Sequence, residues 1–418
     1  TTDWAPGGYE AFLFTDQGRG DVVISGLSLS KNQIHVRSMV GKLTIDDVRI
    51  SGSTAAYGGA LYVGNDGDVE ITNSHFEGNT GTRNAGAVYI YNTGKATISG
   101  STFVGNTTSG LGGAIYIGTE AGTAGDLELF DDVFSHNSAT GGAGGAAYIG
   151  TQGTVTIART TFDSNSTGAG SWGGALYVND QPGATTITDS TFSNNTAGSG
   201  GAVSINTGSP VLIANSTMTG NAALGGGNRT GYAGALYLSP NAIDVTLAQD
   251  TITANTAVVA GAGIFSQASF AVSGTIVSAN TILVGQTSLN GPTIASFPDI
   301  EGTAGREVVS NHSLIGQISP ALTLTDVGGT VRSDTPGLLA LADNGGPTRT
   351  MALAPTSPAI DAGPNPVAPF PGNAFDQRGS GHPRIVGTSA DIGAYESDPT
   401  PAPTTTAAPG PVVPTFTG

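Results

Sequence analysis

Short stretches of alternating apolar and polar residues recur along most of the chain, and Gly-rich turns separate them. In Val69-Glu70-Ile71, for example, the apolar side chains fall two residues apart, as in a strand with one buried face. No window shows the sustained apolar stripe of period 3.6 that predicts an amphipathic helix. The pattern therefore predicts an all-β chain built from strands of about three to five residues.

Two motifs recur at one shared, slightly elastic spacing. The first is an apolar residue followed three positions later by Asn, at Phe76/Asn79, Phe103/Asn106, Phe134/Asn137, Phe162/Asn165, Phe192/Asn195, Met218/Asn221, Ile252/Asn255 and Val277/Asn280, with weaker copies at Leu29/Asn32 and Ile50/Ser53. The second is Gly-Ala-apolar-aromatic-apolar, which starts at Gly59, Gly86, Gly113, Gly145, Gly174 and Gly234. A further copy, at Gly201, carries Ser204 in the aromatic place. Two interleaved motifs with a common period predict a repeat protein.

The repeat length decides which fold is predicted. Successive Asn residues from Asn79 onward are 27, 31, 28, 30, 26, 34 and 25 residues apart. Short strands in such a unit cannot complete a sheet alone, but they can pair with the next repeat, about 4.8 Å away. Because parallel crossovers are nearly always right-handed, we predict a right-handed parallel β-helix, a solenoid of about ten to twelve coils that is roughly 50 Å long.

Each motif position has an expected role in this fold. We expect the Phe side chains to stack inward, and the Gly before Ala to allow a close backbone approach at a corner. We expect the Asn to adopt the left-handed turn conformation and to hydrogen-bond to the copies above and below it. A partial Thr column suits an exposed strand position, at Thr102, Thr161, Thr191, Thr217 and Thr251.

The two motifs resemble the repeats of the chlamydial polymorphic outer-membrane proteins and of related bacterial surface β-helices, over about Ile24 to Asn280. Four downstream stretches are similar to the choice-of-anchor regions that end many secreted bacterial β-helix proteins: residues 343–348, 357–363, 376–379 and 391–396. These resemblances imply a secreted or cell-surface bacterial protein with an adhesive role.

The changes in composition along the chain predict five segments. Residues 1–20 form an N-terminal cap or the remnant of a longer solenoid, residues 21–290 form the regular coils, and residues 291–341 form divergent terminal coils. Residues 342–397 form a C-terminal cap, associated with the anchor and folded against the last coils. Residues 398–418 form a Pro/Thr-rich linker.

Composition and charge exclude several functional classes. The chain has 418 residues and no Cys, so disulfides and thiolate sites are impossible. Its 14 basic and 31 acidic residues give a net charge of -17, which argues against binding nucleic acid or anionic lipid. No apolar run approaches the roughly 18 residues that cross a bilayer, so we predict no membrane insertion. The five His residues have no ligand spacing, and we predict neither a metal site nor a cofactor.

A column of aromatic side chains is the predicted ligand-binding surface. If the aliphatic residues of the second motif face the core, the aromatic residues face outward, at Tyr62, Tyr89, Tyr116, Tyr148, Tyr177 and Tyr237. Rings about 4.8 Å apart would suit stacking on sugar rings or on a partner chain. Two alternatives are that the rings stack on one another and shield a sheet face, or that the two faces are reversed.

Acidic residues three positions before the Phe anchor give the alternative, catalytic interpretation. Asp131, Arg159 and Asp189 lie on consecutive coils, with Asp132 and Asp163 close by. Paired carboxylates beside an Arg would suit a hydrolase or lyase acting on an acidic glycan. The other interpretation is a solvated ion-pair ladder. Because the motifs expected of such hydrolases and lyases are missing, we predict no catalysis.

The sequence as a whole predicts an adhesive or structural protein. Its expected partner is a glycan or a protein on another cell or matrix surface. Self-association through a sheet face or a coil end is a further alternative. The competing hypothesis remains a polysaccharide-cleaving β-helix enzyme.

Overall fold

A computed structural model describes residues 10–15, 20–37, 41–92, 94–118, 125–151, 153–179, 183–226, 231–242, 244–267, 274–288, 298–304, 306–367, 370 and 373–398. Most of the predicted linker at 398–418 and much of the predicted N-terminal cap at 1–20 therefore lie outside the described residues. The structure is all-β in these ranges.

The strands are short and follow one another closely. The first half of the chain contains β1 (Glu10–Thr15), β2 (Val22–Ser25), β3 (Ser28–Ser30), β4 (Gln33–Arg37), β5 (Leu43–Asp46), β6 (Arg49–Ser51), β7 (Thr54–Tyr57), β8 (Leu61–Asn65), β9 (Val69–Thr72), β10 (His75–Glu77), β11 (Thr80–Asn84), β12 (Val88–Asn92), β13 (Ala96–Ser99), β14 (Thr102–Val104), β15 (Thr107–Thr108), β16 (Ile115–Gly118), β17 (Leu127–Phe130), β18 (Val133–Ser135), β19 (Ser138–Ala139), β20 (Ala147–Gly150), β21 (Val155–Ala158), β22 (Thr161–Asp163), β23 (Ser166–Thr167) and β24 (Leu176–Asn179). The second half contains β25 (Thr185–Thr188), β26 (Thr191–Ser193), β27 (Thr196–Ala197), β28 (Val203–Asn206), β29 (Val211–Ala214), β30 (Thr217–Thr219), β31 (Ala222–Ala223), β32 (Leu236–Leu238), β33 (Asp244–Ala248), β34 (Thr251–Thr253), β35 (Thr256–Ala257), β36 (Ile264–Ser266), β37 (Gly274–Ala279), β38 (Ile282–Leu283), β39 (Thr287–Ser288), β40 (Ile300–Gly302), β41 (Arg306–Asn311), β42 (Leu314–Ile315), β43 (Thr323–Gly328) and β44 (Val331–Arg332).

These strands form four parallel sheets. Sheet A contains β1 and every fourth strand from β4 to β40, and sheet D every fourth strand from β7 to β39. Sheet B contains β2, every fourth strand from β5 to β41, and β43; sheet C contains β3, every fourth strand from β6 to β42, and β44. Within the described residues, nine consecutive coils contribute a strand to every sheet, and coils with fewer strands extend both ends. The predicted right-handed parallel β-helix is confirmed.

The Phe anchors form an inward stack, as predicted. Phe76, Phe103, Phe134, Phe162 and Phe192 are completely buried, and their successive ring centroids are 4.6 to 5.0 Å apart. The predicted close approach of the motif glycines is also present: a Cβ at Gly113 would clash with the carbonyl oxygen of Gly145. Stacked apolar columns therefore fill the interior of the solenoid.

The Asn anchors form a buried amide ladder. The Oδ1 of Asn137 accepts the backbone N–H and the Nδ2 of Asn106 at 3.0 Å, and its Nδ2 donates to the carbonyl of Phe103 and to Asn165. The predicted hydrogen bonds between copies are thus present, but the predicted left-handed conformation is wrong. The residue just before Asn makes the turn, for example His136 with φ 56°. The backbone of the Asn itself is not left-handed, and its side-chain amide lines up with the Asn of the next coil.

The last predicted anchor is out of register. Val277 pairs with Val309 in sheet B, and Asn280 lies at another corner with φ 52°. The ladder continues instead through Gln286, whose Oε1 accepts Nδ2 of Asn255 at 3.1 Å. The longer Gln side chain keeps the amide in line where the repeat loses its regular spacing.

The C-terminal segment, residues 337–398, lies along the outer face of sheet C. Thr191 donates to the carbonyl of Arg349 and Thr217 to Oε1 of Gln377, both at 2.6 Å. Further along, Ile282 and Leu314 pack in one buried cluster with Leu353, Ala359 and Ile392. The segment therefore covers the side of six successive coils, from β22 to β42, and not only the last ones. Thr191, Thr217 and Thr251 are buried beneath it, so their predicted exposure is wrong.

Candidate functional site

The aromatic column lies on the outer face of sheet A. Its flanking aliphatic residues, such as Leu61 and Val63, are completely buried, so the two faces are not reversed. The centroids of Tyr62, Tyr89, Tyr116, Tyr148 and Tyr177 follow one another at 5.3, 4.8, 5.1 and 5.5 Å. His35, which the sequence analysis missed, extends this stack 4.3 Å beyond Tyr62. We call His35 to Tyr177 the aromatic ladder.

The stacking changes what the aromatic ladder can offer to a ligand. Each inner ring has a neighbouring ring on both faces, so a ligand meets ring edges and hydroxyls along most of its length. Burial raises the pKa of Tyr62, Tyr89 and Tyr116, which keeps these phenols neutral and able to donate hydrogen bonds. The tyrosine rings of the ladder are half-buried and stacked on one another, so they shield this sheet face while their outer edges stay partly exposed.

Additional aromatic residues widen this surface around the first coils. Tyr57 lies 5.1 Å from Tyr89, and Tyr91 lies 6.5 Å from it. Arg83 sits over the Tyr57 ring at 5.6 Å and donates to its hydroxyl at 3.1 Å. Neither tyrosine belongs to the repeated motif, which is why the periodic pattern did not single them out.

The column is interrupted at Ser204, which pairs with Tyr177 on one side and Tyr237 on the other. Tyr237 is nearly buried and stacks at 6.0 Å on Phe265 in the following coil. A cavity of about 180 Å³ lies between these coils, and Ser204, which is completely buried, does not line it. Its lining residues are Trp172, Tyr177, Ile205, Asn206, Tyr237 and Ser239.

Two of the candidate acids share a column with Arg159. The guanidinium donates to both carboxylate oxygens of Asp131, at 2.7 and 2.8 Å, on an exposed corner. Asp189, on the next coil, lies beneath the C-terminal segment, accepts Nδ2 of Asn215 at 2.8 Å, and has its pKa raised by burial. This column has positive φ throughout, 50 to 61° from Asn73 to Gln249, which explains its Asn, Asp and Gly content.

The other two acids occupy different columns. Asp132 is buried in the wall, where its Oδ1 accepts the backbone N–H of Ser101 at 2.8 Å. Asp163 is the last residue of β22; burial acts to raise its pKa, but hydrogen bonds from Ser193 and Asn194 and the charge of Arg349 outweigh burial and lower it. The structure therefore spreads the four carboxyls over three columns, and the ion-paired or buried ones are already engaged by the protein.

Within the described ranges, no group of three His, Asp or Glu side chains is arranged to hold a metal ion. The same part of the chain contains no helix with the length and apolarity needed to span a membrane.

Comparisons with known proteins agree with the architecture. The family model for the right-handed beta helix region matches residues 11–162, and that for the Chlamydia polymorphic membrane protein repeat matches residues 189–206. No curated protein and no solved structure matches the chain significantly. Both family matches lie in the solenoid, so the similarity of the C-terminal segment to choice-of-anchor regions stays a prediction.

Proposed function

We propose that this chain is an adhesive protein of the bacterial cell surface, secreted or anchored there, whose aromatic ladder contacts a glycan or a protein on another cell or matrix. The observation that carries the proposal is the ladder itself: a rigid, half-exposed row of tyrosines on a solenoid with few charges. Tyrosines supply large contact area together with a hydroxyl, and their fixed stacking lowers the entropy cost of binding.

The match to a polymorphic membrane protein repeat supports the surface location, because those repeats belong to bacterial membrane-associated proteins. The positions of the candidate carboxyls argue against glycan cleavage as a second function. A general acid and a base must reach the same bond, whereas Asp132 is buried in the wall and Asp131 is held by Arg159.

The test is a glycan array and a cell-adhesion assay on the full chain and on two variants. Tyr116→Ala removes a ring stacked on both sides, and we expect at least tenfold weaker binding. The matched control is Phe130→Ala, which removes an outward ring from sheet B, where Arg159 lies 5.7 Å above it. Equal losses in both variants, or new reducing ends released from the bound glycan, would contradict the proposal.

A further inference from the structure

The aromatic surface becomes wider on the first coils. Tyr89 has the ladder rings Tyr62 and Tyr116 on its two faces, at 5.3 and 4.8 Å. Tyr57 lies 5.1 Å from Tyr89 at the end of a sheet D strand, and Tyr91 lies 6.5 Å from it, further along β12. A ligand here meets a broad aromatic area instead of a single row of ring edges. We call this surface the Arg83 patch: Tyr57, Tyr62, Arg83, Tyr89, Tyr91 and Tyr116.

Tyr91 occupies a place where the adjoining coils have glycine. It pairs with Gly64 on one side and with Gly118 on the other. A Cβ at Gly64 would lie 3.1 Å from Cε1 of Tyr62, and one at Gly118 would lie 2.8 Å from Cε1 of Tyr116. The ladder rings therefore lean over these glycines, and the fold is satisfied without a side chain there. The Tyr91 ring is an addition to the surface that the packing of the coils does not require.

Arg83 adds a cation that rests on a ring instead of on a carboxylate. Its exposed guanidinium donates to the Tyr57 hydroxyl at 3.1 Å, and its Cζ lies 5.6 Å from the centroid of that ring. No acidic side chain among the described residues lies within ion-pair distance of it. By contrast, Arg159 and Arg378 each donate to a carboxylate at 2.7 Å. The charge of Arg83 is therefore available to a ligand, because one N–H of its five is used by Tyr57.

The phenols of the Arg83 patch supply further hydrogen-bond donors. Burial raises the pKa of Tyr89, and its four neighbouring phenols raise this pKa further. A neutral phenol can donate its O–H to an anion, whereas a phenolate would repel the anion. A ligand beside Arg83 therefore meets neutral hydroxyls and a guanidinium together, which is a suitable environment for an oxyanion.

A second guanidinium adds positive charge at the same coils. Cζ of Arg37 lies 5.6 Å from the centroid of the Tyr62 ring, and its Nε donates to Nε2 of His35 at 2.6 Å. Its charge acts to lower the pKa of both His35 and Tyr62. Because His35 already engages this side chain, Arg37 contributes charge to the surface, and Arg83 provides the contact.

We infer that the Arg83 patch binds a sugar with an anionic group, a carboxylate or a sulfate, placing the sugar ring on the tyrosines and the anion on Arg83. Aromatic rings offer large apolar area for the C–H faces of a sugar, and a guanidinium binds oxyanions through paired N–H groups. The net charge of -17 opposes an anion at long range. At physiological salt, however, charges are screened beyond about 8 Å, so the nearby cations dominate. This inference names the ligand class of the proposed adhesive function and rests on that function.

The decisive variant is Arg83→Gln, which removes the charge and keeps a polar side chain at an exposed position, so we expect an unchanged melting temperature. The matched control is Arg49→Gln, which removes the same charge from an exposed position of sheet C. The probes are methyl glucoside, methyl glucuronide and methyl glucoside 6-sulfate, each titrated by saturation-transfer NMR against the full chain. A single sugar should bind with a Kd on the order of 1 mM.

We expect the wild type to bind a charged sugar about threefold to tenfold more tightly than methyl glucoside, as one charge-assisted contact at an exposed site would provide. Arg83→Gln should lose this preference, and Arg49→Gln should keep it. Added salt should weaken the binding of the charged sugar to the wild type and have little effect on methyl glucoside. A preference for the glucuronide assigns the anion to a carboxylate, and a preference for the 6-sulfate assigns it to a sulfate ester.

The opposite outcomes separate this inference from the proposed function. Equal binding of the three sugars overturns the inference, and so does a charge preference that persists in folded Arg83→Gln. Acetate or inorganic sulfate that binds as tightly as the charged sugars would also overturn it, because the tyrosines would then contribute nothing. Array binding that Tyr116→Ala removes and Arg83→Gln spares would uphold the adhesive function while rejecting the ligand class. A charge preference that Arg83→Gln abolishes, in a wild type that does not adhere to cells, would uphold the patch while rejecting the adhesive function.

Discussion

Asp132 occupies a column that elsewhere holds hydroxyls, and replacing it by Ser should stabilise the protein. In this column the hydroxyl of Ser190 accepts the backbone N–H of Thr160 at 3.2 Å and donates to the carbonyl two residues earlier at 2.7 Å. Asp132 accepts the N–H of Ser101 in the same way, but its Oδ2 has no hydrogen-bond partner among the described residues. A Ser at this position would accept the same N–H and donate to the carbonyl of Phe130.

The size of the effect follows from the protonation of the carboxyl. Burial raises the pKa of Asp132 from 3.8 to about 8. The folded protein therefore keeps a proton that the unfolded chain loses above pH 3.8, and stability falls as the pH rises toward 8. Each pH unit costs about 1.4 kcal/mol of unfolding free energy, so the loss by pH 7 is roughly 4 kcal/mol. The Asp132→Ser variant does not suffer this loss, although the smaller side chain costs about 1 kcal/mol for the volume removed.

The assay is hydrogen exchange by mass spectrometry between pH 4 and 8, corrected for the intrinsic rates. A stack of coils need not unfold in one step, so exchange at the strands β13 and β17 reports the local free energy. The control is Asp131→Asn, which removes the adjacent exposed carboxylate. Asn tolerates the left-handed backbone there, where φ is 59°, and an exposed ion pair contributes under about 1 kcal/mol.

We expect the advantage of Asp132→Ser over the wild type to grow steadily from pH 4 to pH 8, and Asp131→Asn to show no such growth. Parallel pH profiles for the wild type and Asp132→Ser would refute the reasoning. They would mean that the carboxyl is ionised in the wall without cost, through solvation that the fixed contacts do not provide.

Two further predictions concern the amide ladder and the C-terminal segment. Asn137→Ala removes two acceptor and two donor interactions at a completely buried site. Each buried group left without a partner costs about 1–3 kcal/mol, so we expect the variant to lose at least roughly 3 kcal/mol of unfolding free energy in denaturant. A denaturation midpoint equal to that of the control Thr97→Ala would contradict this. Arg384 is buried, donates to Asn215 and to the carbonyl of Gly393, and faces Asp376, Glu396, Asp189 and Asp391. We therefore expect Arg384→Met to weaken the packing of the C-terminal segment on the coils by about 3–5 kcal/mol. Residues 337–398 should then become protease-sensitive while the coils stay folded. The control is Arg349→Met at a half-exposed position, which should cost under about 1 kcal/mol; equal protease resistance in both variants would count against this role of Arg384.

The repeat could be predicted from the sequence because each coil repeats the same packing problem. Phe at one place in five coils identifies an inward stack whichever coil is considered. The predicted motif position of Asn280 was wrong because Asn occupies two different places in this fold. It forms the amide ladder after Phe, and it also tolerates the left-handed corner three residues before Phe. Residue type alone cannot separate these uses once the spacing becomes irregular.

The lateral position of the C-terminal segment could not be predicted, since that segment has no repeat from which to infer a register. A signal lay instead on the surface that it covers. The outward position of sheet C reads Thr191, Thr217 and Thr251 and then becomes apolar at Ile282 and Leu314. An outward column that becomes apolar is expected to be covered, because exposed Ile and Leu side chains on successive coils would together form an apolar patch.

Departures from a column are informative because the other coils define what the fold alone requires. Asp132 and Asp250 depart from the hydroxyl column, but both are buried in the wall, where a ligand cannot reach them and only stability is affected. Ser204 departs from the aromatic column of sheet A, but it is also completely buried and does not line the neighbouring cavity. All three departures are therefore buried, so the regular outer row of tyrosines, and not its interruption, is the first place to test for binding.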